Sequence, residues 1–455
     1  MRQMMEEALR NSGADYAEIR IEREETTGLA FRGADIDQIY SSSSLGGMVR
    51  ALVNGGWGIA TFSELANIRE RVRDAVACAK LVGQEQSQLA EVERVEKIIP
   101  APPMERDFRG VALAEKKRAV QQYNQMMLDY SPKVNTTNTS YRDSYRQVYY
   151  LNSEGSYFEE TRPDLVVALV AMAREGNLVQ RAIETAGRPA GFETALGLEE
   201  RATAAAQRAV DLLDAPPVEG GNYPVVLNPR LGGVFAHEAF GHLSESDHIY
   251  ENEKLQELLV LGKRFGPDHL NIVDDGTVPG LRGTHPIDDE GVPTRKNYLV
   301  KDGILVGRLH NRETAAKLGE AVTGNARAVS WNHAPIVRMT NTAIEDGDAS
   351  FEELIKDIDL GLYALDMIGG QTMIEMFTFS AAYGYMIRNG KVAELVRDVV
   401  LTGNVFETLK NMDKIGNDFT WLKAGGGCGK GGQSQLPVGF GSPHVRIQNV
   451  VVGGR

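Results

Sequence analysis

The sequence predicts an α+β protein of three units: a small N-terminal α/β module (1–95), a central mixed α/β module (105–214) and a β-rich C-terminal domain (221–455). Three observations lead there. Amphipathic helical periodicity alternates with period-2 strand patterning in the first half of the chain. Asn-Gly and Asp-Gly turn signals recur between apolar runs in the second half. The length of 455 residues exceeds what one core supports and suggests roughly two to three domains.

The first unit opens with a charged amphipathic helix over 2–11, stopped by Ser12-Gly13. It has no apolar h-region, so no secretion signal is expected. AEIRIERE (17–24) alternates cleanly and reads as a strand; MVRALVNGGWGIATF (48–62) reads as a hairpin around Asn54-Gly55-Gly56. Residues 64–83 have helical periodicity and end at Gly83, with Cys78 expected in the core on their apolar face. Residues 95–104 read as a Pro-containing connector.

In the second unit, 113–132 is helical and ends at a proline. Strands follow at 145–161, with Glu154-Gly155 in the turn, and within 165–187; an amphipathic helix covers 198–214. APPVEGGNYP (215–224) reads as a domain boundary. In the third unit YPVVLNP (223–229) is a strand and RLGGVFAHEAFGHLSESD (230–247) a helix. Lys301-Asp302-Gly303 and Arg388-Asn389-Gly390 mark hairpins, and 445–454 is a closing strand.

Composition excludes several classes. Charged residues make up 24% and no apolar run approaches the ~20 residues of a membrane span. Two cysteines argue against a disulfide scaffold and fit a reducing, cytoplasmic compartment. A net charge of −13 argues against nucleic acid, which needs a basic footprint.

HEAFGH (237–242) is the sharpest chemical feature. Zincins place two histidines at i and i+4 with a glutamate after the first. Here His237 and His242 are at i and i+5, about 140° apart around an ideal helix, so one metal cannot meet both rings on regular helix. A π-bulge would align them; alternatively Gly241 breaks the helix before His242. Glu238 stands where such peptidases keep the carboxylate that activates a metal-bound water and returns the proton to the leaving amine. A catalytic zinc wants three protein ligands and an open position. Glu245, Asp247 and His248 are nearby candidates for the third, and Cys428 in GGGCGKGG (425–432) is a distant one. Two histidines that merely pack or cap a helix are the bland alternative, and for Cys428 alone a small buried hydrophobe is the commoner role. The same glycine-rich stretch is no phosphate loop, because Lys430 is followed by Gly431 and Gly432 rather than Ser or Thr.

Other polar residues carry weaker signals. Asp288, Asp289 and Glu290 read first as a solvated acidic loop and second as a partner to the site or a substrate amine. Arg338 and Asn341 read equally as strand packing or as groups that orient a peptide. His310, His333 and His444 read as structural.

SGADYAEIRIE (12–22), HEAFGHLSESD (237–247), the stretches 288–315 and PIVRMTNT (335–342), and CGKGGQSQLPVGFGSPHVRIQNVVVGG (428–454) together resemble the TldD/PmbA peptidases along essentially the whole chain. That resemblance implies one zinc ion per chain held by His237, His242 and Cys428, with Glu238 as the catalytic carboxylate. Retention of all four residues resembles the TldD-like, zinc-keeping branch. It implies hydrolysis of unfolded or small peptides bound in extended form, and a homodimer or a heterodimer with a TldE/PmbA-like subunit. A non-catalytic, zinc-stabilised assembly or peptide-holding subunit is the alternative; four protein ligands on the metal would mark it.

Overall fold

The computed structural model describes residues 1–82, 87–373 and 375–453. The first half of the chain builds one seven-stranded sheet. Its strands are β1 (Tyr16–Arg32), β2 (Asp35–Val53), β3 (Gly56–Phe62), β4 (Glu96–Ile99), β5 (Val134–Asn152), β6 (Tyr157–Glu175) and β7 (Leu178–Arg188). The order is β3-β2-β1-β5-β6-β4, with β7 also on β6. β1 pairs antiparallel with β5 from Glu18–Asn152 to Arg32–Asn138, so the first and second units share this sheet.

Helices α1 (Arg2–Leu9) and α2 (Ile68–Val82) cover one end, while α3 (Leu113–Asp129) and α4 (Glu199–Asp214) cover the other. α2 buries Ile68, Val72, Ala75, Val76 and Ala79, a stripe at helical spacing. Cys78 falls between two members of that stripe and is exposed, which corrects the core placement expected for it. Gly83, the expected helix stop, lies outside the described residues. The stretch expected as a connector contains β4, which pairs in parallel with the start of β6. Two charged residues followed by two isoleucines give no period-2 pattern long enough to read. The strand over 35–47 was also illegible: its run of serines is exposed and pairs only with β1 beyond the reach of β3.

Among the described residues the C-terminal half carries, beside two two-stranded sheets, two large sheets around one large core. One runs Leu360–Met373, β8 (Gly221–Leu227), Val445–Gly453, Val400–Asn404, Met376–Arg388 and Lys391–Val396. The other contains Ile272–Asp275, Asn341–Ile344 and Gly439–Ser442. Helix α5 (Pro229–Ala236) packs against strands of both. Asn228 caps it, its side chain accepting from Leu231 N–H, and Pro229 takes the first turn where its missing N–H costs nothing. Gly232 and Gly233 let α5 press on Gly439–Ser442: a Cβ on Gly232 would stand 2.7 Å from Ser442 Oγ. Phe235 seals the other side, edge-on to Phe377 and Phe379. No helix among the described residues is long and apolar enough to cross a membrane.

Candidate metal centre

α5 does not continue regularly. His237–Gly241 forms a π turn, in which the His242 N–H donates to the His237 carbonyl, and His242–Ser244 tightens to a 3₁₀ turn before the chain turns extended at Glu245. The single helix expected over 230–247 is thus interrupted where the i+5 histidine spacing required it. Wide π winding puts the two rings on one side, with centroids 5.1 Å apart and planes at 79°. Gly241 has no room for a side chain, since a Cβ would stand 2.1 Å from Met339 Sδ.

Cys428 arrives from the far end of the chain on a two-stranded hairpin, Cys428–Lys430 with Gln433–Leu436. Gly431 and Gly432 both take positive φ, 56° and 76°, the conformation a tight two-residue hairpin turn needs. Cys428 Sγ lies 3.2 Å from His242 Nε2. Donor atoms of His237, His242 and Cys428 all lie within 4.8 Å of one another. His237 and Cys428 are buried, at 1% and 5% exposure.

The donor set fits a metal ion. Both ring nitrogens of His237 are buried without a hydrogen-bond partner, a costly state that ligation of one of them relieves. Burial alone raises a thiol, but the His237 and His242 rings beside it prevail and hold Cys428 near about 4. Burial opposes charge on His242, yet Glu245 and Cys428 raise it to about 11. Glu238 is a quarter exposed, with Oε2 3.9 Å from His242 Nε2, so its carboxylate borders the cluster from the open side.

Among the described residues no other His, Cys, Asp or Glu joins this cluster. Of the nearby candidates for a third ligand, Glu245 instead accepts from His242 Nδ1–H at 2.9 Å, Asp247 pairs with Lys430 at 2.6 Å, and His248 is half exposed. His310 bonds Glu320, His333 bonds Ser330, and His444 lies between Asp418 and Tyr363. Arg338 and Asn341 are fully buried. Arg338 donates to the Gln433 carbonyl in the hairpin, and Asn341 donates to the Asp275 carbonyl and Thr284.

The 288–290 carboxylates are buried, which corrects the solvated-loop reading. They join the first sheet to the C-terminal half: Asp289 meets Arg20 at 3.3 Å and Arg162 at 3.1 Å, and Glu290 meets Arg50 at 2.8 Å. Asp288 accepts from the backbone N–H groups of Glu290, Val292 and Ala326. Between the two halves lies a cavity of about 510 Å³. It excludes the three donors, but Ser434 and Leu436 form part of its wall, and Leu436 is the register partner of Cys428.

The comparisons identify the class as a metallopeptidase. Models of the PmbA/TldA metallopeptidase match in three parts: domain 1 over residues 17–79, the central domain over 106–213 and the C-terminal domain over 220–454. The chain belongs to this PmbA/TldD family and has its three-domain fold. It is 46% identical over 443 residues to a metalloprotease of Synechocystis, covering 97% of this chain and 96% of that one. A metalloprotease of Methanothermobacter thermautotrophicus is 38% identical over 449 residues, covering 97% and 96%. A protein of Saccharolobus solfataricus described as a zinc metalloprotease TldD homolog is 28% identical, covering 97% of each chain. Among solved structures, TldE from Thermococcus kodakarensis superposes with a TM-score of 0.80 at 19% identity, covering 99% of this chain and 100% of that one.

Proposed function

We propose that this metallopeptidase holds one zinc ion on His237, His242 and Cys428 and uses it, with Glu238, to hydrolyse unfolded or small peptides. The observation that carries this reading is the convergence of the three donors, with a carboxylate at their open edge. Two imidazoles and a thiolate are borderline-to-soft donors that suit zinc over calcium or magnesium. When bound, the ion supplies a Lewis acid that polarises a peptide carbonyl and acidifies water.

The remaining work falls to the chain. Glu238 accepts the proton of the attacking water and delivers it to the departing amine. The π turn keeps both imidazoles aimed at one point. The cavity beside the cysteine hairpin offers room for a peptide, and the open strand edges of a two-stranded hairpin suit a substrate bound in extended form through its backbone.

The division into 1–95, 105–214 and 221–455 is supported by the three family matches, although one sheet spans the first two units. The reading extends to assembly as a homodimer or as a heterodimer with a TldE/PmbA-like subunit. Two free cysteines support a reducing, cytoplasmic setting.

The test is metal analysis of the wild type and Cys428→Ser, with cleavage of an unfolded peptide measured with and without a TldE-like subunit. Zinc and cleavage should be lost together. A Glu238→Ala protein that retains zinc and cleaves at the wild-type rate would sink the mechanism.

A further inference from the structure

Two segments distant in sequence carry the three donors, and no covalent link holds them in register. A buried ion pair spans them. Glu245, with no exposed surface, follows His242 by three residues and faces Lys430 Nζ at 3.2 Å. Lys430 lies on the Cys428 strand. Its ammonium donates to both carboxylate oxygens of Asp247, at 2.6 and 2.8 Å, and to the Val337 carbonyl at 2.8 Å, while Glu245 faces it as an ion-pair partner. One side chain thus pins the cysteine strand both to the segment after the π turn and to the strand beneath it.

We infer that Glu245 and Lys430 form a strut that sets His242 and Cys428 against each other, making Glu245 a positioning residue of the metal centre rather than a fourth ligand. The inference rests on the metal-centre reading above. An ionised carboxylate can only accept, so Glu245 fixes the proton of His242 on Nδ1 and leaves Nε2 for the metal. Cys428 Sγ stands on that Nε2 side. Nδ1 and Nε2 lie on different edges of the ring, so Glu245 could reach an ion at Nε2 only by abandoning His242. A buried ion pair is by itself weak evidence of a stabilising role, because it is often no better than apolar residues of the same volume. Glu245 Oε1 is moreover left without a partner, as are Nε and Nη2 of buried Arg338. A site that retains such groups is shaped by what it orients.

The test uses metal-free, full-length protein. Zinc affinity is measured by chelator competition, and Co²⁺ is added to read the thiolate-to-cobalt absorption band. Glu245→Gln and Lys430→Met should each weaken zinc binding by about 10–100-fold, the range found for lost outer partners of metal ligands, and should shift or weaken the cobalt band. Lys430→Arg, which keeps the charge, should restore most of the affinity. Glu245→Gln/Lys430→Met should cost less than the sum of the two single changes, because they share one contact.

Near-ultraviolet circular dichroism of the metal-free variants checks the fold. If Glu245→Gln fails to fold, the contrast between Lys430→Met and Lys430→Arg decides. Folded variants with wild-type affinity and an unchanged band would overturn the strut and leave the centre standing. A wild type that takes up no zinc would overturn the centre, and the strut with it.

Discussion

The two carriers of the metal donors are built in opposite ways. His237 and His242 sit on a turn whose neighbours Ala236, Ala239 and Phe240 are fully buried in the large C-terminal core. Cys428 sits on a two-stranded ribbon entered through Gly425–Gly427, and an isolated ribbon of that kind is marginal in water. Cys428 itself enters the same core and Leu436 is buried, while the rest of the ribbon is fixed by polar contacts: Lys430 to Asp247 and Glu245, and Gln433 to Val329 N–H and the Ala334 carbonyl. One half of the centre is thus preorganised by core packing, the other by the core contact of Cys428 together with buried hydrogen bonds and ion pairs. Changes to the first should act through packing strain, and changes to the second through loss of register.

The largest expected effect is on the ribbon side. Cys428→Ser should lower zinc affinity by more than the ~100-fold that loss of an outer partner costs, measured by chelator competition, and should abolish cleavage. Next is Glu238→Gln, which leaves both carriers intact. It should keep full zinc content while kcat falls by about 10²–10⁴-fold, the usual share of a general base.

A third change tests the platform beneath both. Asp289→Asn removes one of two carboxylates from each of Arg20 and Arg162, which keep Glu22 and Glu160, so it should cost no more than the ~3 kcal/mol lower end of broken buried pairs in denaturant unfolding. Burial opposes ionisation of Asp289, but Arg162 and Arg20 hold it well below the usual carboxylate range. A depressed folded value means its contribution is complete above about pH 4 and is lost as pH falls through that lower value. The variant should therefore show a shallower loss of stability on acidification.

The smallest effect belongs to the helix side. Gly241→Ala pushes a methyl against Met339 and should destabilise by about 1–3 kcal/mol, with zinc affinity reduced as the π turn shifts.

Legibility in the sequence follows the same division. The histidine pair and Glu238 are local, and their i+5 spacing alone demanded the helix defect that the π turn provides. The Gly-containing hairpins at 302–303 and 389–390 were equally readable, since positive φ at Asp302 and Asn389 is what such turns require. Cys428 stands 186 positions from His242, and no periodicity reports a contact over that span; only resemblance to a known family pointed to it. Glu245 was visible only as a candidate ligand, because sequence gives distance along the helix but not which ring nitrogen a carboxylate meets. Lys430 drew notice only through the rejected phosphate loop. The acidic run at 288–290 looked solvated because its arginine partners lie in strands more than a hundred residues earlier. Cys78 looked buried because one position around a helix separates stripe from surface.

The central claim is that one ion is shared between a core-held histidine pair and a ribbon-held thiolate. X-ray absorption at the zinc edge of the loaded wild type tests it most directly. The account predicts one sulfur at about 2.3 Å, two imidazole nitrogens at about 2.0–2.1 Å and one further light scatterer that is not a protein group. A shell without sulfur, or one filled by four protein ligands, would contradict it.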